Sequence, residues 1–252
     1  MASDITMSIL IMFALKAEAE PFLQMIRDLQ QNPNVPELYS GTLAETRVIV
    51  GISGMGAGLA NEQSRNILSG IDASAFIFAG FAGGLADDLS PGDVVIAKSI
   101  LDEDSGNSFA CDENLLGISL TSTVHIANIL TVGRVVSSSE QKSELFKRYG
   151  CAAVDMESAS AALVAKESGI PFLAVRAILD TQSESIPASL SKLVDNSGQP
   201  LPGKAALNFL LQPSLIGQAI RLSRGSRLAA NSLARILGEL VSELSFSSSD
   251  TC

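Results

Sequence analysis

The sequence predicts an α/β fold: a single domain with a central mixed, mostly parallel sheet covered by helices on both faces, plus a C-terminal helical extension. Three observations predict it. Short apolar runs alternate with segments of helical character along most of the chain. Those runs are apolar throughout rather than at every second position, as strands buried on both faces are. The chain has 252 residues, 46% hydrophobic and only 17% charged, enough for a sizeable core and against long disordered tracts.

Taken in order, Met7–Leu15 reads as a buried strand, followed by helical character from Ala17 to about Leu29. Arg47–Ile52 is a second strand, and Gly56 to Ile67 a helix. Ala75–Ala79, Asp93–Ala97, Ile129–Val136 and Pro171–Ile178 are further strand candidates, rich in Val, Ile and Phe. Helices fit Glu140–Tyr149, Met156–Ser168 and a long stretch from about Ser214 to Leu244. Asp102–Asn114, Gln182–Pro202 and the tail Ser245–Cys252 read as the least ordered parts. Residues 1–212 are expected to form the main domain and residues 213–252 the helical extension and tail.

The net charge of −10 argues against a nucleic-acid partner. It is unevenly spread: from Asn196 to Gly238 there is no acid, and Lys204, Arg221, Arg224, Arg227 and Arg235 give +5, leaving −15 elsewhere. Three cysteines without metal or redox spacing, and a start lacking the basic residues of a signal peptide, point to a cytoplasmic location. The longest apolar stretch, Ala75 to Ala86, is 12 residues and too short to span a bilayer. His125 is the only histidine and reads as structural, so triads and histidine-based metal sites are set aside.

Ligands in open α/β sheets gather at the C-terminal ends of strands, and five clusters fall at such places. Ser53-Gly54-Met55-Gly56 follows the second strand; its glycines allow close ligand approach or simply a tight strand–helix turn. Gly80, Phe81, Gly83 and Gly84 could line a pocket floor or let strands cross closely. In Asp155-Met156-Glu157, the acids could cap a helix, or a carboxylate could accept hydrogen bonds from vicinal sugar hydroxyls. Arg176 lies within an apolar strand and Asp180 just past its end, either as a structural pair or with Asp180 as a general acid kept protonated in a dry pocket. Glu18 opens the first helix, where an acid complements the helix dipole.

As an ordered set, these clusters resemble the purine nucleoside phosphorylase and nucleosidase superfamily from about Ser8 to Asp180. The most specific part is Val154-Asp155-Met156-Glu157-Ser158, followed by Val175-Arg176-Ala177-Ile178-Leu179-Asp180. The resemblance implies that Glu157 binds the ribose hydroxyls while Met156 packs on the sugar, and that Asp180 protonates purine N7 as the glycosidic bond breaks. It places Arg176 near the nucleophile and gives Glu18 the role of activating water. It implies no metal or cofactor, with phosphate as the candidate co-substrate, and a homo-oligomer, dimer or larger.

From Asp155 onward the chain is more similar to the hopanoid-associated branch, through its Val-Asp-Met-Glu-Ser run, Ile186-Pro187, and Leu-Leu-Gln-Pro followed by Arg-Leu-Ser-Arg. That likeness implies adenine release from a 5′-modified adenosine such as adenosylhopane. It would suit a basic C-terminal helix docking peripherally on an anionic membrane; a core-packing helix with a solvated basic face is the alternative. Two departures count against an ordinary methylthioadenosine/S-adenosylhomocysteine nucleosidase: Phe81 and Leu179 stand where those enzymes have serines. The Val136–Glu140 segment is also shortened where the family clasps the base. Phosphorolysis and hydrolysis both stay open, and a non-catalytic nucleoside-binding or storage protein is the reading from another class.

Overall fold

A computed structural model of the chain describes residues 8–185 and 214–249. The core begins with β1 (Ser8–Phe13), every residue of which is buried. It pairs in parallel with β4 (Thr46–Ile52) on one side and β5 (Ala75–Gly84) on the other. Beyond β4 lie β3 (Leu38–Leu43) and then β2 (Arg27–Gln31), both antiparallel and forming one edge of the sheet. Between strands run α1 (Lys16–Leu23) and α2 (Ala57–Leu68).

The other half of the sheet closes on itself. β5 is long enough to serve three neighbours: its first residues pair with β1, its length with β10 (Phe172–Asp180), and Gly83 and Gly84 with β9 (Ala153–Asp155). β10 then pairs with β6 (Val94–Asp102), β6 with β8 (His125–Thr131), and β8 with β9, so β5-β10-β6-β8-β9 is a closed five-stranded ring. β7 (Ser108–Ala110) hangs on β6, and α3 (Glu113–Leu116) follows it. The remaining helices are α4 (Ser139–Tyr149), α5 (Ser158–Ser168) and α6 (Ser214–Ser249).

This refines the expected sheet. Among the described residues β1–β4, β1–β5, β5–β10, β6–β8 and β8–β9 are parallel, while β2–β3, β3–β4, β5–β9, β6–β7 and β6–β10 are antiparallel. The sheet is evenly mixed and half closed, not mostly parallel. Closure brings β9 back antiparallel onto β5, and closing a sheet removes edges that would otherwise need cover.

Local differences have local causes. The first helix stops at Leu23 rather than near Leu29, because Arg27–Gln31 is an exposed edge strand whose polar residues carry no alternation. Part of the Asp102–Asn114 segment is ordered as β7 and the start of α3. The last helix runs on to Ser249, past Leu244. Its Ala229, Leu233, Ile236, Leu237, Leu240 and Val241 are buried within the main core cluster, while Arg224, Arg227 and Arg235 face outward. Ile186-Pro187, Leu210-Leu211-Gln212-Pro213 and the rest of the Gln182–Pro202 segment beyond Ser185 lie outside the described residues. Among the described residues no helix is long and apolar enough to cross a membrane.

Candidate active site

The parallel strands β4, β1, β5 and β10 bring five chain segments to one side of the sheet. β1 ends at Phe13, and the chain turns through Ala14 and Leu15 into α1. Glu18, in the first turn, is buried at 4% exposure, and its carboxylate bends back to accept the Leu15 N–H at 2.9 Å. This is the acidic half of a helix-capping arrangement. Its other oxygen reaches across to β5 and accepts the Phe81 N–H at 2.8 Å. Burial raises the Glu18 carboxyl from the ordinary 4.5 to about 7; the Phe81 N–H, Arg176 and the Leu15 N–H pull the other way without cancelling it.

Gly80 stands opposite Arg176 in the β5–β10 register. A methyl group at Gly80 would lie 2.4 Å from Arg176 Nη1 and 3.0 and 3.2 Å from the two Glu18 oxygens. Glycine is therefore needed for close approach: the absent side chain is where the Arg176 guanidinium and the Glu18 carboxylate both point. Arg176 is fully buried. It lies 4.9 Å from the centre of the Phe78 ring, ion-pairs through Nη2 with Asp155 Oδ2 at 2.6 Å, and donates from Nε and Nη2 to Ser158 Oγ at 3.0 and 2.8 Å. Nη1 has no hydrogen-bond partner among the described residues. A buried donor of this kind signals a missing acceptor.

Asp155 is spent on this scaffold. Its oxygens accept from Thr131 Oγ1 at 2.7 Å and from the Ser158 N–H, in addition to the Arg176 pair. Its side chain orients Arg176 from behind. Glu157 is turned toward Gly56 of the β4–α2 turn, whose N–H it accepts at 2.9 Å. Gly56 has φ of 98°, a conformation that favours glycine and aims that N–H. Burial, followed by the Asp155 charge, lifts the Glu157 carboxyl above its usual range; Arg176 opposes. Ser53 is buried, with its hydroxyl bonded to the Phe13 and Gly54 carbonyls at 3.3 and 3.0 Å, so it secures the turn. Met156 and Phe81 are partly exposed.

Asp180 ends β10 and is 7% exposed. Its partner is Lys142 of α4, which sequence reasoning missed. Lys142 is fully buried, ion-pairs with Asp180 Oδ2, and donates to the Thr181 and Glu184 carbonyls at 2.6 and 3.0 Å. Burial raises the Asp180 carboxyl, and Lys142 works against that rise. The signal was present: Lys142, Leu145, Phe146 and Tyr149 share one face of α4 at helical spacing, so a lysine stands where an apolar residue belongs. Thr131 and Ser158, which hold Asp155 and Arg176, were also missed; small hydroxyl residues carry no comparable sequence signal.

These groups bring two raised carboxyls, an unmatched guanidinium donor and a lysine-paired acid to one sheet end. The sequence profile of the phosphorylase superfamily matches residues 8–201 of this chain. The chain belongs to that superfamily. An aminodeoxyfutalosine nucleosidase from Helicobacter pylori is 25% identical to it, covering 74% of this chain and 91% of the relative. A 5′-methylthioadenosine/S-adenosylhomocysteine nucleosidase from Thermotoga maritima is 27% identical over 68% of this chain and 84% of its own length. Among solved structures, an S-adenosylhomocysteine nucleosidase from Streptococcus pyogenes superposes with a TM-score of 0.75 at 21% identity, over 96% of this chain and 99% of that one. The futalosine hydrolase of Helicobacter pylori gives 0.74 at 19% identity, over 96% and 100%. The superfamily fold is thus shared along nearly the whole chain.

Proposed function

We propose that this chain hydrolyses the N-glycosidic bond of a purine nucleoside, releasing the base. The observation that carries the reading is the convergence over Gly80 of the buried Glu18 carboxylate and Arg176 Nη1, which has no hydrogen-bond partner among the described residues. A water bound by both groups would meet a base on one side and a donor on the other. Glu18 takes the water's proton as its oxygen bonds to C1′; a carboxyl raised to about 7 is well matched to that task near neutral pH. Glu157, with one oxygen on the Gly56 N–H, offers the other to the sugar hydroxyls. Asp180 gives its proton to purine N7, so that the electron pair of the breaking C1′–N9 bond leaves on a neutral base. The nucleosidase names of the relatives support hydrolysis of this kind.

Phosphorolysis is the second reading, and the partnerless Arg176 Nη1 favours it, since an unmatched guanidinium N–H suits a phosphate oxygen. Glu18 beside it weighs against an anionic nucleophile. For the substrate, we propose a 5′-modified adenosine. Adenosylhopane is the finer proposal, resting on the likeness from Asp155 onward and on Phe81 and Leu179. Further proposals are assembly as a dimer or larger homo-oligomer, and contact of the outward-facing arginines of α6 with an anionic membrane.

The test is to incubate the chain with methylthioadenosine, adenosylhomocysteine, aminodeoxyfutalosine and adenosylhopane, with and without phosphate, and to quantify free adenine. Adenine without phosphate is expected. Release only with phosphate would replace hydrolysis by phosphorolysis, and no adenine from any of them would favour a nucleoside-binding protein. Asp180→Asn is expected to lose about 10²–10⁴-fold in kcat; full activity would refute the acid assignment.

A further inference from the structure

Lys142 is fully buried, and neither the family likeness nor the proposed chemistry gives it a role. A buried ammonium is costly unless its donors are matched. Here all three are: one to Asp180 Oδ2, one to the Thr181 carbonyl and one to the Glu184 carbonyl. The lysine therefore has no donor left for a substrate, and it ion-pairs with one carboxylate, Asp180, which the nearby Glu184 charge pushes upward as burial does. α4 is set to deliver it, because Ser138 caps the helix by accepting the Gln141 N–H, while the Gln141 side chain returns to the Ser138 N–H. Lys142 is the first fully buried position of that helix.

We propose that Lys142 is a positioning residue for the leaving-group step, holding Asp180 on its Oδ2 side and stabilising the carboxylate left when Asp180 gives up its proton. The inference rests on Asp180 being the acid that protonates the purine. With Lys142 on Oδ2, Oδ1 carries the proton. As C1′–N9 breaks, that proton moves to N7, the bonding pair stays with the purine, and the negative charge that appears on Asp180 lies against an ammonium already in place. The next proton comes from solvent. Burial alone would make Asp180 a reluctant donor, its anion having lost water; the lysine replaces that water with a fixed charge. The same three bonds pin the Thr181–Glu184 turn to α4, so charge and geometry are supplied by one side chain.

The experiment compares wild type, Lys142→Met and Lys142→Gln. Lys142→Met keeps the bulk and removes the charge, while Lys142→Gln retains donors for the carbonyls should Met not fold. Adenine release from methylthioadenosine is followed against pH, beside Asp180→Asn. The competent form carries the proton on Asp180, and losing Lys142 makes that proton harder to release. The variants are therefore expected to be about 10- to 100-fold slower at low pH, with the deficit shrinking as pH rises and wild type loses its proton first. A purely structural role gives the same deficit at every pH, and that result overturns the proposal. If Asp180→Asn is fully active, the acid reading itself fails and this inference with it.

A second readout needs no turnover. In protein carrying isotope-labelled aspartate, the carboxyl resonance absent from Asp180→Asn belongs to Asp180. It is expected to titrate at higher pH in Lys142→Met or Lys142→Gln than in wild type. An unchanged titration overturns the pairing whatever nucleoside the site takes.

Discussion

Replacing Glu18 with Gln separates the stability of the site from its chemistry. In the folded chain the Glu18 carboxyl holds its proton up to about 7, against 4.5 for an ordinary glutamate. That gap of about 2.5 pH units, at about 1.4 kcal/mol each, comes to between about 3 and 4 kcal/mol. Between 4.5 and about 7 the folded chain binds a proton that the unfolded chain has released, so native stability falls as pH rises through that window and levels off above it. Gln is neutral at every pH and cannot follow this fall. It places an amide NH2 against one of the Leu15 and Phe81 N–H groups, as a protonated glutamate places an O–H, so this offset does not change with pH. Urea unfolding of both proteins from about pH 5 to about pH 8 covers most of that window and is expected to show the stability difference moving in favour of Glu18→Gln by roughly 2–3 kcal/mol. A difference constant across that range would refute the account of Glu18 as a buried, reluctant anion. The same titration governs activity with the opposite consequence. As the proposed base for the water's proton, Glu18 must be ionised, so kcat/KM of wild type is expected to fall as pH drops below about 7.

Arg176→Met leaves Asp155 buried without its ion-pair partner and is expected to cost about 3–5 kcal/mol in urea unfolding, with Arg176→Met/Asp155→Asn recovering much of it. No recovery in the double variant would show that packing over Phe78, rather than the charge, holds the arginine. Glu157→Gln is expected to raise KM by about 10- to 100-fold, the worth of one hydrogen bond to a charged group, with a smaller change in stability. An unaltered KM would remove Glu157 from the sugar. Gly80→Ala puts a methyl group 2.4 Å from Arg176 Nη1, so the guanidinium or Glu18 must move; a fall in kcat/KM on the order of 10²-fold is expected, and full activity would show that the space before Gly80 is not where the nucleophile sits.

The strands legible in the sequence are those buried on both faces. β1, β4, β5 and β10 announce themselves because continuous Ile, Val, Phe and Leu have no other use in a chain of this composition. β2 does not, since an edge strand satisfies one row of backbone groups and leaves its side chains in water, and β3, paired on both sides but only half-buried, has a mixed Leu-Tyr-Ser-Gly-Thr-Leu sequence. Closure of the ring was hidden for a different reason. It depends on β9, three residues long, meeting Gly83 and Gly84 some seventy positions earlier, and no local pattern encodes that. At the site, Glu157, Asp180 and Arg176 were legible as charges at or within apolar strands. The division of labour between Asp155 and Glu157 was not, because it depends on which way each side chain leaves the β9–α5 junction: Asp155 back onto Thr131 and Arg176, Glu157 out to Gly56.

That division explains why the site tolerates four buried acids with only two cations. Asp155 is ion-paired with Arg176, and Asp180, raised by burial, has the Lys142 ammonium against it. Among the described residues Glu18 and Glu157 have no ion pair of their own, only backbone N–H groups and a share of the Arg176 field, and both carboxyls are raised. An unpaired buried carboxylate is unfavourable until something positive comes near it. In glycosidic cleavage that positive charge appears on the sugar as the C1′–N9 bond stretches, and it appears only in the transition state. The two unpaired acids therefore cost the resting protein stability and return it where charge develops, which is the differential binding that lowers a barrier. A phosphate ion beside them would face both acids with one guanidinium nitrogen, Arg176 Nη1, unmatched among the described residues, to hold it. The balance of charge thus favours water as the nucleophile on the same grounds that it favours a cationic sugar.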